Sequence, residues 1–148
     1  MPWRCLGVAV VMVALAACDW GGGQRAGETD LVELRNDDSL VDEGRQVFSE
    51  HCARCHGRRA EGGADWRSPD ASGQYPPPPL DGSGHAWHHS TEVLRRVIAE
   101  GSPDSGRMPA WSDRLSQRQI DAAIAWFQAR WPEDIYRSWL EMQGQSTR

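Results

Sequence analysis

Apolar positions recur at helical spacing in four stretches of the chain. Val41, Gly44, Val47, Phe48 and His51 follow one another three or four residues apart, on one face of a helix. Ser39, with Asp42 three residues later, resembles the capping box that would start it. A second helix is expected after Ser90, with Val93, Leu94, Val97 and Ile98 on one side and Gly101 past its end. Ser116 with Gln119 opens a third, striped by Ile120, Ala123, Ile124 and Phe127 and stopped by Trp131-Pro132. Pro132, with Glu133 and Asp134 beside it, starts a fourth. Its stripe of Ile135, Tyr136, Trp139 and Leu140 is expected to end before Gly144. Between Gly57 and His89 periodicity fails, and Gly, Pro and Ser dominate, including four consecutive prolines from Pro76 to Pro79. Alone, that stretch reads as disorder or a polyproline ligand.

The N-terminus has a different pattern. An unbroken apolar run from Leu6 to Ala17 follows Arg4. It is too short for a membrane-spanning helix, which needs about 20 residues, and fits a signal-peptide core. The run ends in Leu15-Ala16-Ala17-Cys18, which resembles the lipobox of bacterial lipoproteins. That resemblance implies cleavage before Cys18 and acylation of Cys18; ordinary cleavage after Ala17 would leave a free thiol. Asp19 resembles an inner-membrane retention signal. Residues 18–38, Gly-rich and acidic, then read as a flexible tether spanning on the order of 25 Å.

Composition narrows the chemistry. The chain has 148 residues, 16 basic against 21 acidic, and a formal net charge of −5. That balance argues against a nucleic-acid surface, which needs a basic face. Every basic residue other than His is Arg. The absence of Lys excludes Schiff-base catalysis and a Lys-centred phosphate loop. Of the four cysteines, Cys5 falls within the signal peptide and Cys18 at its end, so no disulfide is expected between these and the others.

The remaining pair stands in Cys52-Ala53-Arg54-Cys55-His56, the attachment signature for c-type haem. Two thiols at i and i+3 on a helical turn can reach both haem vinyl groups, and the next residue can offer an imidazole to the iron. A disulfide or redox dithiol is the plain alternative for an exported C-x-x-C. The thioredoxin-like context would need a preceding hydrophobic strand, and none is visible. A zinc site would need two further ligands at suitable spacing, and there is no second C-x-x-C. For the second axial position Met108, in Gly106-Arg107-Met108-Pro109, is favoured over Met142, with His85 or His88 as fallback. A thioether on a Pro-held loop suits a ligand better than a Met at helical spacing. The cluster His85, His88 and His89 also permits a copper site.

The C-x-x-C-H string, followed by Arg107-Met108-Pro109 with helices on either side, resembles a class I cytochrome c over roughly residues 39–130. The resemblance implies an all-α bundle of about four to five helices around one covalent haem c, wrapped by the long Gly/Pro-rich loop. Cys52 and Cys55 would form the thioethers, with His56 and Met108 as axial ligands. It implies a crossing of the first and last core helices where Gly44 and Phe48 meet Trp126 or Phe127. It also implies a Pro carbonyl accepting from His56 Nδ1, best matched by Pro78, with Pro77 and Pro79 possible. Trp87, His85 and Arg107 become candidate partners of the haem propionates.

The expected organisation is a signal peptide over residues 1–17, a lipidated tether over 18–38, a cytochrome domain over 39–131 and an extra helix with tail over 132–148. The expected function is one-electron transfer at the periplasmic face of a bacterial inner membrane, with no enzymatic activity of its own and redox proteins as partners. Two other readings are a small haem enzyme or ligand sensor with a displaceable Met108, and a copper-handling lipoprotein. The net negative charge implies a partner with its own basic patch, or docking through apolar contacts at the haem edge.

Overall fold

The computed structural model describes residues 34–102 and 107–146. The apolar run ending at Cys18, most of the tether and Gly106 lie outside the described residues. Within them the chain is all-α: α1 (Asp38–Val47), a π-helical turn (Phe48–Cys52), α2 (Ala53–His56), α3 (Thr91–Glu100), α4 (Gln117–Gln128) and α5 (Glu133–Ser146). No helix among the described residues is long and apolar enough to cross a membrane.

Local chemistry sets the helix ends. α1 starts earlier than the Ser39/Asp42 pair suggests. Asp37 is its cap, accepting from the Leu40 N–H at 3.0 Å through Oδ1. The Ser39 hydroxyl donates to that same oxygen at 2.7 Å, and Asp42 pairs with Arg45 at 2.8 Å, so neither is left to build the expected box. A carboxylate is the stronger acceptor and takes the N-terminal position. α3 has its expected cap, the Ser90 hydroxyl accepting from Val93 N–H at 3.2 Å. Ser116 and Gln119 form a complete capping box on α4. α5 begins after Pro132 as expected but continues through Gly144 to Ser146, since one glycine in a final turn costs only about 1 kcal/mol.

The core is organised by the crossing of α1 and α4. Gly44 is buried there, and a Cβ on it would lie 1.9 Å from the Ala122 carbonyl oxygen and 2.8 Å from Trp126 Cβ. One turn later Phe48 stacks on Trp126 with ring centroids 4.2 Å apart. Trp126 is thus the aromatic partner in the crossing, and Phe127 turns to the other side of α4.

α5 packs back on this core. Trp139 is fully buried, and its indole N–H donates to the His89 carbonyl at 2.9 Å. Trp131, buried between α4 and α5, donates to the Leu80 carbonyl at 2.9 Å. These two indoles attach the loop ahead of α3 to the C-terminal helix.

Gly44→Ala should lower stability by about 2–3 kcal/mol, because the new methyl overlaps backbone that cannot move aside. Urea unfolding followed by far-UV circular dichroism would measure it. Gln128→Met should do the opposite. The Gln128 carboxamide is buried without a hydrogen-bond partner among the described residues, so its replacement should gain on the order of 1 kcal/mol in the same assay.

Candidate functional site

The π-helical turn leads directly into Cys52-Ala53-Arg54-Cys55-His56. The Ala53 N–H bonds to the Phe48 carbonyl five residues back, so the helix widens just before the motif. α2 is only four residues long and ends at Gly57, whose φ of 80° reverses the chain. Cys52, Cys55 and His56 thereby form one wall of a cavity of about 680 Å³. α3 contributes Leu94, Val97 and Ile98, and α4 contributes Phe127. Met108 and Trp111, from the loop between these helices, also line it. A mostly apolar cavity of this size falls in the range of small-molecule and cofactor sites, roughly 300–1,000 Å³.

The proline run forms another wall, and its backbone is what fixes His56. Prolines lack N–H groups, and an extended run of them presents carbonyls with no internal partner. The Gly63 N–H donates to the Pro77 carbonyl at 2.8 Å, and the Leu80 N–H to the Ala60 carbonyl at 2.8 Å. Between those two bonds the Pro78 carbonyl stands 2.9 Å from His56 Nδ1. A carbonyl can only accept, so Nδ1 carries the proton and Nε2 keeps its lone pair. Gly62, at φ 74°, makes the approach possible, since a Cβ there would lie 2.4 Å from Pro79 N and 2.7 Å from the Pro78 carbonyl carbon.

Electrostatics agree with a ligand-type site. Burial pushes the His56 imidazole below its ordinary pKa, with the Pro78 bond acting the other way, so the neutral form prevails near neutrality. Burial, with the Cys55 thiol adding to it, pushes Cys52 up to about 11. A redox-active dithiol needs a lowered pKa on its attacking sulfur, and Cys52 is shifted the opposite way. Both thiols are free.

The Met108 loop is tied at both ends. The Ser102 N–H donates to the Met108 carbonyl at 3.0 Å, and Trp111 N–H reaches the carbonyls of Ile98 and Ala99. Gly101, at φ 76°, is needed because a Cβ would lie 2.6 Å from the Met108 carbonyl oxygen. Arg107 lines the cavity and extends to the 70–74 turn, where it contacts Asp70, Gln74 and Ser72.

Two thiols three residues apart, an imidazole with Nε2 unprotonated and a thioether share one apolar cavity. That donor set fits a covalently attached haem.

The family model described as cytochrome c oxidase, cbb3-type, subunit III matches residues 39–127. The chain belongs to the cytochrome c family, on its cbb3-type subunit III branch. Among curated relatives, the cbb3-type oxidase subunit FixPc of Rhizobium leguminosarum bv. viciae is 31% identical over 72% of this chain. Subunit FixP of Rhizobium etli is 30% identical over 76%. The chain spans only 30% and 32% of the lengths of those two proteins. A solved structure, cytochrome CL from Methylophaga aminisulfidivorans, superposes with a TM-score of 0.52 over 86% of this chain and 84% of its own, at 21% identity. That likeness shows the fold.

Within this cytochrome c the other candidate residues part company. His85 lines the cavity and stacks on Trp66 with centroids 5.4 Å apart. Trp87 donates its indole N–H to the Gly84 carbonyl at 3.1 Å and stacks its ring on His88, and the cavity lining includes neither residue. Among the described residues no group of three or more His, Cys, Asp or Glu is placed to hold a metal ion, and His85, His88 and His89 do not come together as one. Their rings are engaged in stacking instead.

Sequence reasoning overlooked Trp66, Trp111 and His89 as lining residues. The high Trp count was the available signal, since a chain with eight Trp and two Phe must put indoles where others use smaller rings.

Gly62→Ala should displace the Pro78 carbonyl and lower stability by about 1–3 kcal/mol. It should also raise the haem midpoint potential, because an imidazole without that acceptor donates less charge to ferric iron. Chemical denaturation and a potentiometric titration of the holoprotein check the two effects.

Proposed function

We propose that this cytochrome c is a membrane-tethered carrier that takes and gives one electron on a single haem c. In this reading Cys52 and Cys55 would hold the haem through two thioethers, and His56 Nε2 and Met108 Sδ would ligate its iron. The observation that carries it is the meeting of all four donors in one apolar cavity, with His56 oriented by the Pro78 carbonyl. When bound, the haem supplies the ferric/ferrous couple, and the protein supplies burial and fixed ligands.

The chain's residues then have simple tasks. The Pro78 carbonyl holds the imidazole proton on Nδ1 and the ring in one orientation. Leu94, Ile98 and Phe127 exclude water from the cavity. The tied loop keeps the Met108 sulfur from swinging away when the iron changes charge, which limits reorganisation. His/Met ligation raises the potential over that of two imidazoles and suits fairly oxidising partners. If His56 and Met108 both held the iron, the chain would leave no open position for a substrate, which supports a carrier over an enzyme.

Leu15-Ala16-Ala17-Cys18 supports a lipid anchor on Cys18, with the tether holding the domain at the periplasmic face of the inner membrane. The relatives' names, as subunits of cbb3-type oxidases, support a donor role toward an oxidase of that kind.

Cys52→Ala with Cys55→Ala should abolish the haem stain that survives denaturing electrophoresis. Met108→Ala should remove the methionine-sulfur charge-transfer band of the ferric spectrum and lower the potential. A ferric wild-type spectrum that is high-spin would instead favour the haem enzyme or sensor, and absence of covalent haem would overturn both. Cys18→Ser should move the protein from the membrane to the soluble fraction.

A further inference from the structure

A second opening, a cleft of about 550 Å³, lies where the end of α1, the π-helical turn, α2 and the end of α4 converge. Arg45, Arg54, Arg58 and Arg130 line it, and no acidic residue does. All four arginines are exposed. The one carboxylate in reach is that of Asp42, which pairs with Arg45 at 2.8 Å at the solvent-facing side. Both members of that pair are about 70% exposed, so water and salt weaken it. Among the described residues no carboxylate pairs with Arg54, Arg58 or Arg130. Arg130 is held in place, its guanidinium 3.3 Å from the centre of the Trp126 ring.

Folding does not ask for this arrangement. Four guanidiniums at one cleft repel one another, and a chain with 21 acidic residues has ample carboxylates to pair them. The cleft also adjoins the haem site. Arg54 lines both openings, and its neighbour Cys55 is exposed at the cavity edge. Net charge governs the distant field, whereas docking is governed by the charges at the contact. The charges lining this cleft are thus opposite in sign to the net charge of the chain.

We infer that the arginine cleft is the docking site for a carboxylate-rich surface of the protein that exchanges electrons with the haem. The inference rests on the electron-carrier reading. Guanidinium forks pair in two-pronged fashion with carboxylates, which gives such a contact orientation as well as attraction. An acidic patch seated across Arg54 and Arg58 would lie beside the exposed cavity edge, where electron transfer is shortest.

The test uses the full-length holoprotein, wild type against Arg45→Gln with Arg58→Gln, two cleft residues that do not line the haem cavity. Both side chains are exposed, so the double variant should keep its haem spectrum and melting temperature; Arg96→Gln serves as a control away from the cleft. A glutamate 20-mer should bind the wild type and the control alike, and bind the double variant about tenfold more weakly. The wild-type affinity should also fall as salt rises from about 20 to about 200 mM. Oxidation of the ferrous protein by a small acidic blue-copper protein should slow about tenfold in the double variant, while oxidation by an uncharged quinone stays unchanged.

Equal binding of the 20-mer by wild type and double variant would overturn the proposal. So would its displacement by submillimolar inorganic phosphate, which would make the cleft a small-anion site. Loss of binding only to phosphatidylglycerol vesicles would make it a membrane face and overturn the proposal likewise. A wild-type protein that the quinone cannot oxidise would bring down the electron-carrier reading itself. Failure of the arginine effects with the haem spectrum and quinone reaction intact brings down the docking site alone.

Discussion

The closeness of α1 and α4 at Gly44 is the constraint from which the rest of the molecule follows. With the Ala122 carbonyl where a side chain would otherwise sit, the two helices approach backbone to backbone, and Phe48 can lie flat on Trp126. That contact fixes the direction in which α1 delivers the cysteine–histidine motif. It equally fixes which side of α4 turns Phe127 toward the cavity. A looser crossing would leave the motif and its opposing wall free to drift apart, and the cavity between them would lose its shape.

The opposite half of the cavity is built without regular structure, by backbone groups that have nowhere else to go. Pro76 to Pro79 cannot donate hydrogen bonds, and their carbonyls are taken by Gly63 and His56. Each such bond links the loop to the segment that follows the motif, so the cavity wall and the ligand orientation are one construction. A small domain gains much from this, because a core that is partly cofactor must be closed by its loops. The aromatic residues of α5 then secure the far side, through indole bonds to carbonyls of the same loop.

Much of this was legible in the sequence, and the reason differs by element. The capping box at Ser116 and the cap at Ser90 are local signals, and local signals survive folding. The start of α1 was misplaced because Ser39, Asp37 and Asp42 all suit a cap and only the folded geometry decides among them. Cys52, Cys55 and His56 share one cavity wall because their spacing is local, about one turn of helix. The Gly84 acceptor of Trp87 is invisible to pattern, because an indole in a Gly-rich loop has many possible acceptors. The arginine cleft could not be read at all. Arg45 stands on α1 and Arg54 on α2, whereas Arg58 lies just past α2 and Arg130 just past α4, and their charges cancel in the overall count.

The π-helical turn before the motif has a consequence for how the chain can change. Residues four apart in an ideal α-helix drift by about 40° around the axis with each step. Gly44, Phe48, Cys52 and His56 lie at such steps, and an unbroken α-helix would carry His56 well away from the face that Gly44 and Phe48 share. The wider turn over Phe48–Cys52 winds part of that drift back. It works as a phase adjuster between two jobs that one helix must do, packing on α4 and presenting ligands to the cavity. The length of this segment is consequently less negotiable than its side chains. Ser49 and Glu50 are both exposed, but the loss of either position would change the phase at which the imidazole leaves the helix.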